Sequence, residues 1–270
     1  MNFSELFQHF LATDQESPIL ASGYRKLDQL AIGGFKDELV VIGGRPTHGK
    51  TALMLNLILR FSYMQQQKGF VVMPMANSEY FARQMFSLIT GREEDVNALP
   101  EDLALDGMSD LKDMLKNRLK VLHRSANLKE VLTMAKSWNA SYVMLDDFFQ
   151  VIDFLYGYKL YHESLKMVHS FAKETQIPVF IGLMSASSVD KRGGDRMPEL
   201  VDLFRSDILC QYAHKVIQLY RPMAYGIEWN MEGEPTDNLV NLDLQKNSIG
   251  KTGMLSFEIQ PSGRWEERSI

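Results

Sequence analysis

Leu39-Val40-Val41-Ile42-Gly43-Gly44-Arg45-Pro46-Thr47-His48-Gly49-Lys50-Thr51 is the stretch that decides the fold. Four apolar, β-favouring residues lead into a full G-x-x-x-x-G-K-[ST] pattern, Gly44 to Thr51. Helically spaced apolar residues follow at Leu53, Leu57 and Leu59–Phe61. Strand, glycine-rich turn and helix in that order form the context in which this pattern is a phosphate-binding loop. The glycines let backbone N–H groups converge on phosphate oxygens, and the helix N-terminus adds partial positive charge. Gly44, Arg45, Pro46, Thr47, His48, Gly49, Lys50 and Thr51 are therefore the candidate nucleotide-binding residues. Lys50 is placed to reach the β- and γ-phosphates, and the Thr51 hydroxyl to ligate magnesium. A glycine-rich turn with an incidental lysine is the competing reading.

Such a loop needs an acid at the end of another core strand to hold the metal ion. Val143-Met144-Leu145-Asp146-Asp147 is an apolar run ending in two carboxylates. Aspartate is unfavourable inside a strand, so a role at the strand end is preferred for one of the two. Spacing does not choose between them. A group that orients water is also required for hydrolysis. Glu79, just past the run Phe70–Met75, is the candidate. The alternative for Glu79 is a first-turn helix carboxylate following Ser78 as cap.

The rest of the chain alternates in the same manner. Apolar runs at Glu38–Ile42, Phe70–Met75, Ser141–Leu145 and Val179–Leu183 are separated by stretches with helical spacing, as at Leu128, Val131, Leu132 and Ala135, and at Tyr161, Leu165, Val168 and Ala172. Continuous apolar strands between helices predict a mostly parallel sheet covered on both faces. After residue 214, the runs Val216–Tyr220, Tyr225–Trp229, Leu239–Leu244 and Met254–Ile259 predict antiparallel strands extending that sheet. At the other end, Phe3, Leu6, Phe7, Phe10 and Leu11 form one helical stripe, followed by a polar linker. Residues 1–21 read as an amphipathic linker helix and linker, and 22–270 as one α/β domain.

Composition sets outer bounds. The 270 residues are 45% hydrophobic and 23% charged, which excludes a disordered or collagen-like chain. With 29 basic and 34 acidic residues the net charge is −5, so a chain-wide basic coat for nucleic acid or anionic lipid is excluded, though a local basic loop is not. The single cysteine, Cys210, fits a reducing cytosol. Neither a signal peptide nor an apolar run of membrane-spanning length is read, so a cytoplasmic protein with no membrane partner is expected.

Taken together the motifs resemble a known family. Ser22-Gly23-Tyr24, Leu27-Asp28, Gly33-Gly34 and the Arg45-Pro46 phosphate loop are similar to the motor domain of bacterial replicative helicases of the DnaB type. The similarity continues through Asn77-Ser78-Glu79, Asp147-Phe148-Phe149-Gln150, Val179–Arg196, Gln211-Tyr212-Ala213, Leu219-Tyr220-Arg221 and Gly250-Lys251-Thr252-Gly253. It covers roughly residues 20 to 267. The resemblance implies a RecA-like P-loop NTPase fold and an ATP- and Mg2+-dependent motor on single-stranded DNA. It implies Glu79 as catalytic glutamate beside Lys50, and Asp147, not Asp146, as magnesium ligand with Thr51. It implies that Lys246 reaches into a neighbouring subunit's ATP site, and that Lys191, Arg192 and Arg196 line a DNA loop. It further implies a homo-oligomer, a hexameric ring or filament, in which residues 3–11 pack on the next subunit. Other replication proteins are possible partners, but primase binding belongs in that family to a separate N-terminal domain and is not carried over.

Two positions depart from the family pattern. A γ-phosphate-sensing glutamine is expected where Met184 stands, and an arginine reaching the neighbour's site where Ser248 stands. Methionine offers no useful hydrogen bond, and an arginine finger contributes about 10³–10⁵ in rate. These departures keep a second reading open, a nucleotide-gated helicase-like loader or regulator with weak turnover. A recombinase or clock-type ATPase is a third.

Overall fold

The structure is a computed structural model that describes residues 19–92, 101–152, 158–194 and 196–268. The stripe Phe3 to Leu11 lies outside the described residues. In chain order the elements are α1 (Arg25–Leu30), β1 (Leu39–Gly44), α2 (Lys50–Ile58), β2 (Gly69–Val72), α3 (Ser78–Thr90), α4 (Glu101–Asn117), β3 (Leu119–Leu122) and α5 (Leu128–Ser137). They continue with β4 (Tyr142–Leu145), α6 (Tyr158–Thr175), β5 (Val179–Met184), α7 (Ser206–Tyr212), β6 (Lys215–Tyr220), β7 (Leu239–Asn247), β8 (Gly253–Ile259) and β9 (Trp265–Glu267). Among the described residues no helix is long and apolar enough to cross a membrane.

The strands form one sheet in the order β3-β2-β4-β5-β1-β6-β7-β8-β9. Pairing is parallel from β3 to β6 and antiparallel from β6 to β9. This is the mostly parallel sheet with antiparallel C-terminal strands that the sequence predicts. Strand β1 lies between β5 and β6, so its carboxyl end opens at the centre of the sheet edge, where open α/β sheets bind their ligands.

Period-2 alternation explains why the strands are apolar throughout. Val40, Ile42, Val71, Met144, Phe180 and Ile217 join one buried cluster with α2 and α3. Their neighbours Leu39, Val41, Val72, Val143, Ile181 and Val216 join a second cluster with α5, α6 and α7 on the opposite face. Helix α2 is apolar on nearly every side because it is enclosed by sheet, α3 and the C-terminal strands; Leu53 to Ile58 are all buried. Its one buried amide, Asn56, donates to Ala52 O and Gly263 O at 2.9 Å and accepts from the Trp265 N–H at 2.9 Å. That side chain ties the last strand to the helix behind the phosphate loop.

One predicted strand is corrected. Tyr225–Trp229 is not a strand: Pro222–Tyr225 forms a 3₁₀ turn that ends at Gly226 with φ 70°. Trp229 makes only an isolated bridge to Pro235, a residue with no N–H to donate. Strand β9 carries no signal in the sequence, because its three residues are too few to show a period.

Opposite the phosphate loop, at the start of β1 and β6, the sheet holds a buried ion pair. Lys215 Nζ lies 2.5 and 2.6 Å from the two carboxylate oxygens of Glu38, with side-chain exposures of 1% and 5%. Beside it the Leu39 N–H donates to His214 Nδ1 at 3.2 Å. Burial, then the Lys173 charge, push the His214 imidazole down to about 4, which keeps that nitrogen a free acceptor.

Candidate nucleotide-binding site

The site is built where β1 runs into α2. Gly44 closes the strand, Thr47 bends through the left-handed region at φ 68°, and Gly49 at φ 96° caps α2. A β-branched residue at positive φ is a strained turn, held here by the elements on either side. Gly49 has a steric requirement too, since a Cβ there would approach Trp265 Cζ2 to 2.9 Å. Gly43 leaves room for the buried Gln218 side chain, whose oxygen would meet a Cβ at 2.4 Å.

Lys50 turns back into its own loop and donates to Gly44 O at 2.9 Å and Arg45 O at 3.2 Å. Burial pushes its ammonium below the ordinary lysine range despite the attraction of Asp146 and Asp147. Thr51 Oγ1 donates to Asp146 Oδ2 at 2.7 Å. Burial raises the Asp146 carboxyl, opposed by the Thr51 hydrogen bond and the Lys50 charge. A partly desolvated cation and a partly desolvated anion thus face each other across the loop. Each loses hydration that a phosphate group and a hard metal ion would replace. The hydroxyl and carboxylate oxygens of Thr51 and Asp146 are the donor set suited to magnesium.

The structure therefore separates the two aspartates that spacing left open. Asp146 faces the phosphate loop, and its backbone N–H extends the sheet by donating to Val72 O at 2.9 Å. Asp147 turns away at φ 69° and caps the 3₁₀ turn Phe148–Gln150, accepting from Phe149 N at 3.2 Å. The resemblance favoured Asp147; the carboxylate on Thr51 is that of Asp146.

Glu79 lies in the first turn of α3, beyond β2 on the same sheet edge but separated from β1 by β4 and β5. Its carboxylate pairs with Arg83 one turn on at 3.0 Å, with side chains 72% and 60% exposed. The helix cap is Asn77, which accepts from Tyr80 N at 2.7 Å, and not Ser78. Lys246 donates to the carbonyls of Cys210 at 2.7 Å and Ala213 at 2.5 Å, capping the C-terminus of α7 in its own chain. Ser248 Oγ donates to His214 O at 3.0 Å. Met184 pairs in register with Gly44 and is half exposed.

Of the three cations assigned to a DNA loop, Lys191 is exposed on the 3₁₀ turn Ser187–Lys191. Arg192 is turned inward, donating to Asp202 Oδ1 at 2.7 Å and Met197 O at 3.0 Å and lying 3.3 Å from Glu199. Arg196 sits over the Tyr225 ring, 5.2 Å from its centroid.

Several partners of the phosphate loop carry no signal in the sequence. Arg45 Nε lies 3.0 and 3.1 Å from the two oxygens of Asp190, and Arg45 NH1 donates to Ser185 O at 2.8 Å. Tyr225 Oη donates to the same Asp190 carboxylate at 2.8 Å. His48 is buried against the rings of Tyr225 and Tyr220 at 5.2 and 6.1 Å, with Nδ1 3.1 Å from Pro46 O. Its Nε2 has no partner among the described residues. Gln218 joins Ser185 Oγ to Glu199 O, each at 3.0 Å, beneath Gly43.

The family model of the DnaB-like helicase C terminal domain matches residues 20–264. A replicative DNA helicase DnaB of Mycoplasma pneumoniae is 27% identical over 266 residues, covering 89% of this chain and 55% of that protein. The chain spans about half the length of the curated relatives it matches. Among solved structures, one described as an ATPase domain superposes with a TM-score of 0.78 at 17% identity, covering 98% of this chain and 97% of that one. A DnaB-like replicative helicase, described with its interactions with primase, gives 0.77 at 16% identity over 97% of this chain and 65% of that one. These structural likenesses establish the RecA-like ATPase fold. With a family match across nearly its whole described length, the chain belongs to the family of DnaB-like helicase C-terminal domains.

Proposed function

We propose that this chain is the ATP-driven motor of a replicative DNA helicase, binding Mg2+-ATP at the phosphate loop and moving on single-stranded DNA. The observation that carries the reading is the convergence of Lys50, Thr51 and Asp146 where β1 enters α2. Lys50 would exchange the carbonyls of Gly44 and Arg45 for phosphate oxygens, and the backbone N–H groups of Gly44 to Thr51 would surround them. Magnesium, when bound, supplies charge neutralisation between the phosphates; Thr51 and Asp146 are the residues suited to hold it. Glu79 is the proposed group that orients the attacking water, released from Arg83, since an exposed ion pair of this kind holds by only about 0.3–0.5 kcal/mol. Lys191 and Arg196 are the proposed DNA contacts, with Arg192 shaping the loop from inside. Assembly into a ring or filament, with residues 3–11 on the neighbouring subunit and Lys246 reaching its ATP site, is part of the same proposal. Lys246 would first have to leave the end of α7.

The test is ATP turnover with and without oligo-dT. Wild type should be stimulated by the DNA, and Glu79→Gln should keep ATP affinity while losing about 10²–10⁴ in turnover. A variant that hydrolyses at the wild-type rate would make Glu79 only a first-turn carboxylate. The aspartates are separated by a paired substitution. Asp147→Asn keeps the acceptor for Phe149 N and tolerates positive φ, so it should leave magnesium-dependent ATP binding nearly unchanged. Asp146→Asn should weaken that binding by about tenfold or more, since it removes the negative charge that faces the Thr51 hydroxyl and would face the metal ion. Titration at several magnesium concentrations checks both.

A further inference from the structure

The phosphate loop is tied by side chains to the segment proposed to contact DNA. Arg45 holds both oxygens of Asp190 through Nε, and its NH1 grips Ser185 O at the end of β5. The guanidinium is largely covered, with 14% side-chain exposure against 39% for its partner. A planar fork against a carboxylate fixes direction as well as distance. From the other side Tyr225 Oη donates to Asp190, and the ring of Tyr225 carries Arg196 on one contact and His48 of the phosphate loop on another. Arg45 hydrogen bonding, followed by that of Tyr225, holds the Asp190 carboxyl below the ordinary carboxylate range, so it is ionised throughout neutral pH.

The other end of this link is the lysine that nucleotide must move. Lys50 Nζ donates to the backbone carbonyl of the same Arg45 at 3.2 Å. A phosphate group that draws Lys50 away releases that carbonyl, and the Arg45 backbone is then free to shift. Bidentate contacts near 3 Å weaken steeply with small displacements or misalignment. Met184, at the register position beside Gly44, has no hydrogen bond to offer as an alternative link.

From this, we infer that Arg45, Asp190 and Tyr225 are positioning residues that transmit nucleotide occupancy of the phosphate loop to Arg196, and so set affinity for single-stranded DNA. The inference rests on the helicase-motor reading and adds to it the route by which the two sites communicate in this chain. Coupling of this kind is reciprocal: nucleotide changes DNA affinity by the same factor by which DNA changes nucleotide affinity.

The experiment measures that factor on the full chain. Fluorescein-labelled oligo-dT is titrated by anisotropy with and without magnesium and a slowly hydrolysed ATP analogue, and analogue affinity is measured with and without DNA. The wild-type chain should give a factor of about tenfold or more, within the usual 5–150-fold range. Asp190→Asn and Tyr225→Phe should each reduce it below about twofold while analogue affinity without DNA stays within about threefold. Asp190→Glu, which keeps the charge, should restore part of the factor. Thermal melting shows whether each variant is folded, and Tyr225→Phe, which removes one oxygen only, decides the matter if Asp190→Asn is not. Variants that keep the wild-type factor overturn the link. A wild-type chain that binds both ligands without coupling overturns it as well. A wild-type chain that binds neither ligand overturns the motor reading itself.

Discussion

Replacing Lys50 with alanine should abolish measurable Mg2+-ATP binding, the largest functional effect expected of any single substitution in this chain. The ammonium is partly desolvated, feels the charge of Asp146 and is held by two backbone carbonyls. Part of its hydration has therefore already been lost on folding, so a phosphate gains a cation with less further desolvation. Hydrogen bonds to charged groups are worth about 1.5–3 kcal/mol each. A lysine that reaches two phosphates thus accounts for about 100-fold or more in affinity. Turnover should fall further, by at least about 10²–10³, because the developing charge loses its nearest preorganised donor. Isothermal titration to millimolar ATP checks the first effect and a phosphate-release assay the second. Folding should survive, since the Gly44 carbonyl keeps the Ser185 N–H as a donor at 3.2 Å and Arg45 lies in a half-exposed loop. A Lys50→Ala variant that binds as wild type would exclude the phosphate loop as the site.

The largest effect on stability is expected at the far edge of the sheet. Glu38→Gln removes the countercharge of Lys215, which is almost wholly enclosed between β1 and β6. An unpaired buried charge costs about 3–5 kcal/mol, a large part of the total stability of a domain. Urea denaturation should show the loss as a lower midpoint with an unchanged slope. Replacing both members, as in Glu38→Leu with Lys215→Met, should recover that stability or exceed it. Burial raises the Glu38 carboxyl, and the charge and hydrogen bonds of Lys215 oppose that shift. A double variant as unstable as the single one would show that the pair is held for its attraction.

Legibility in the sequence depends on how local each determinant is. The strand, phosphate loop and helix were legible because the contacts that shape them lie within one short stretch, from Leu39 to Thr51. The two-sided sheet was legible because burial on both faces makes strands such as β1 and β5 apolar without a break. Tyr225–Trp229 has strand composition, but Pro222 and Gly226 set a turn there that no propensity of the intervening residues could outweigh. What spacing could not supply was the direction of single side chains. One residue of register puts Asp146 on Thr51 and sends Asp147 into a cap, though the two are adjacent and chemically identical. Lys246 is turned onto the end of α7 because β7 pairs with β6 in a register that brings its ammonium to those carbonyls. Glu38 meets Lys215 across 177 positions, and Arg45 meets Asp190 across 145. By itself the sequence determined the strand, glycine-rich loop and helix that carry Lys50 and Thr51, the layered α/β class and the family, since these reside in backbone conformation and periodicity. Only the tertiary structure decided which carboxylate meets the Thr51 hydroxyl and which loops are tied to its own, because a side chain's partner over such distances is chosen by strand order and register.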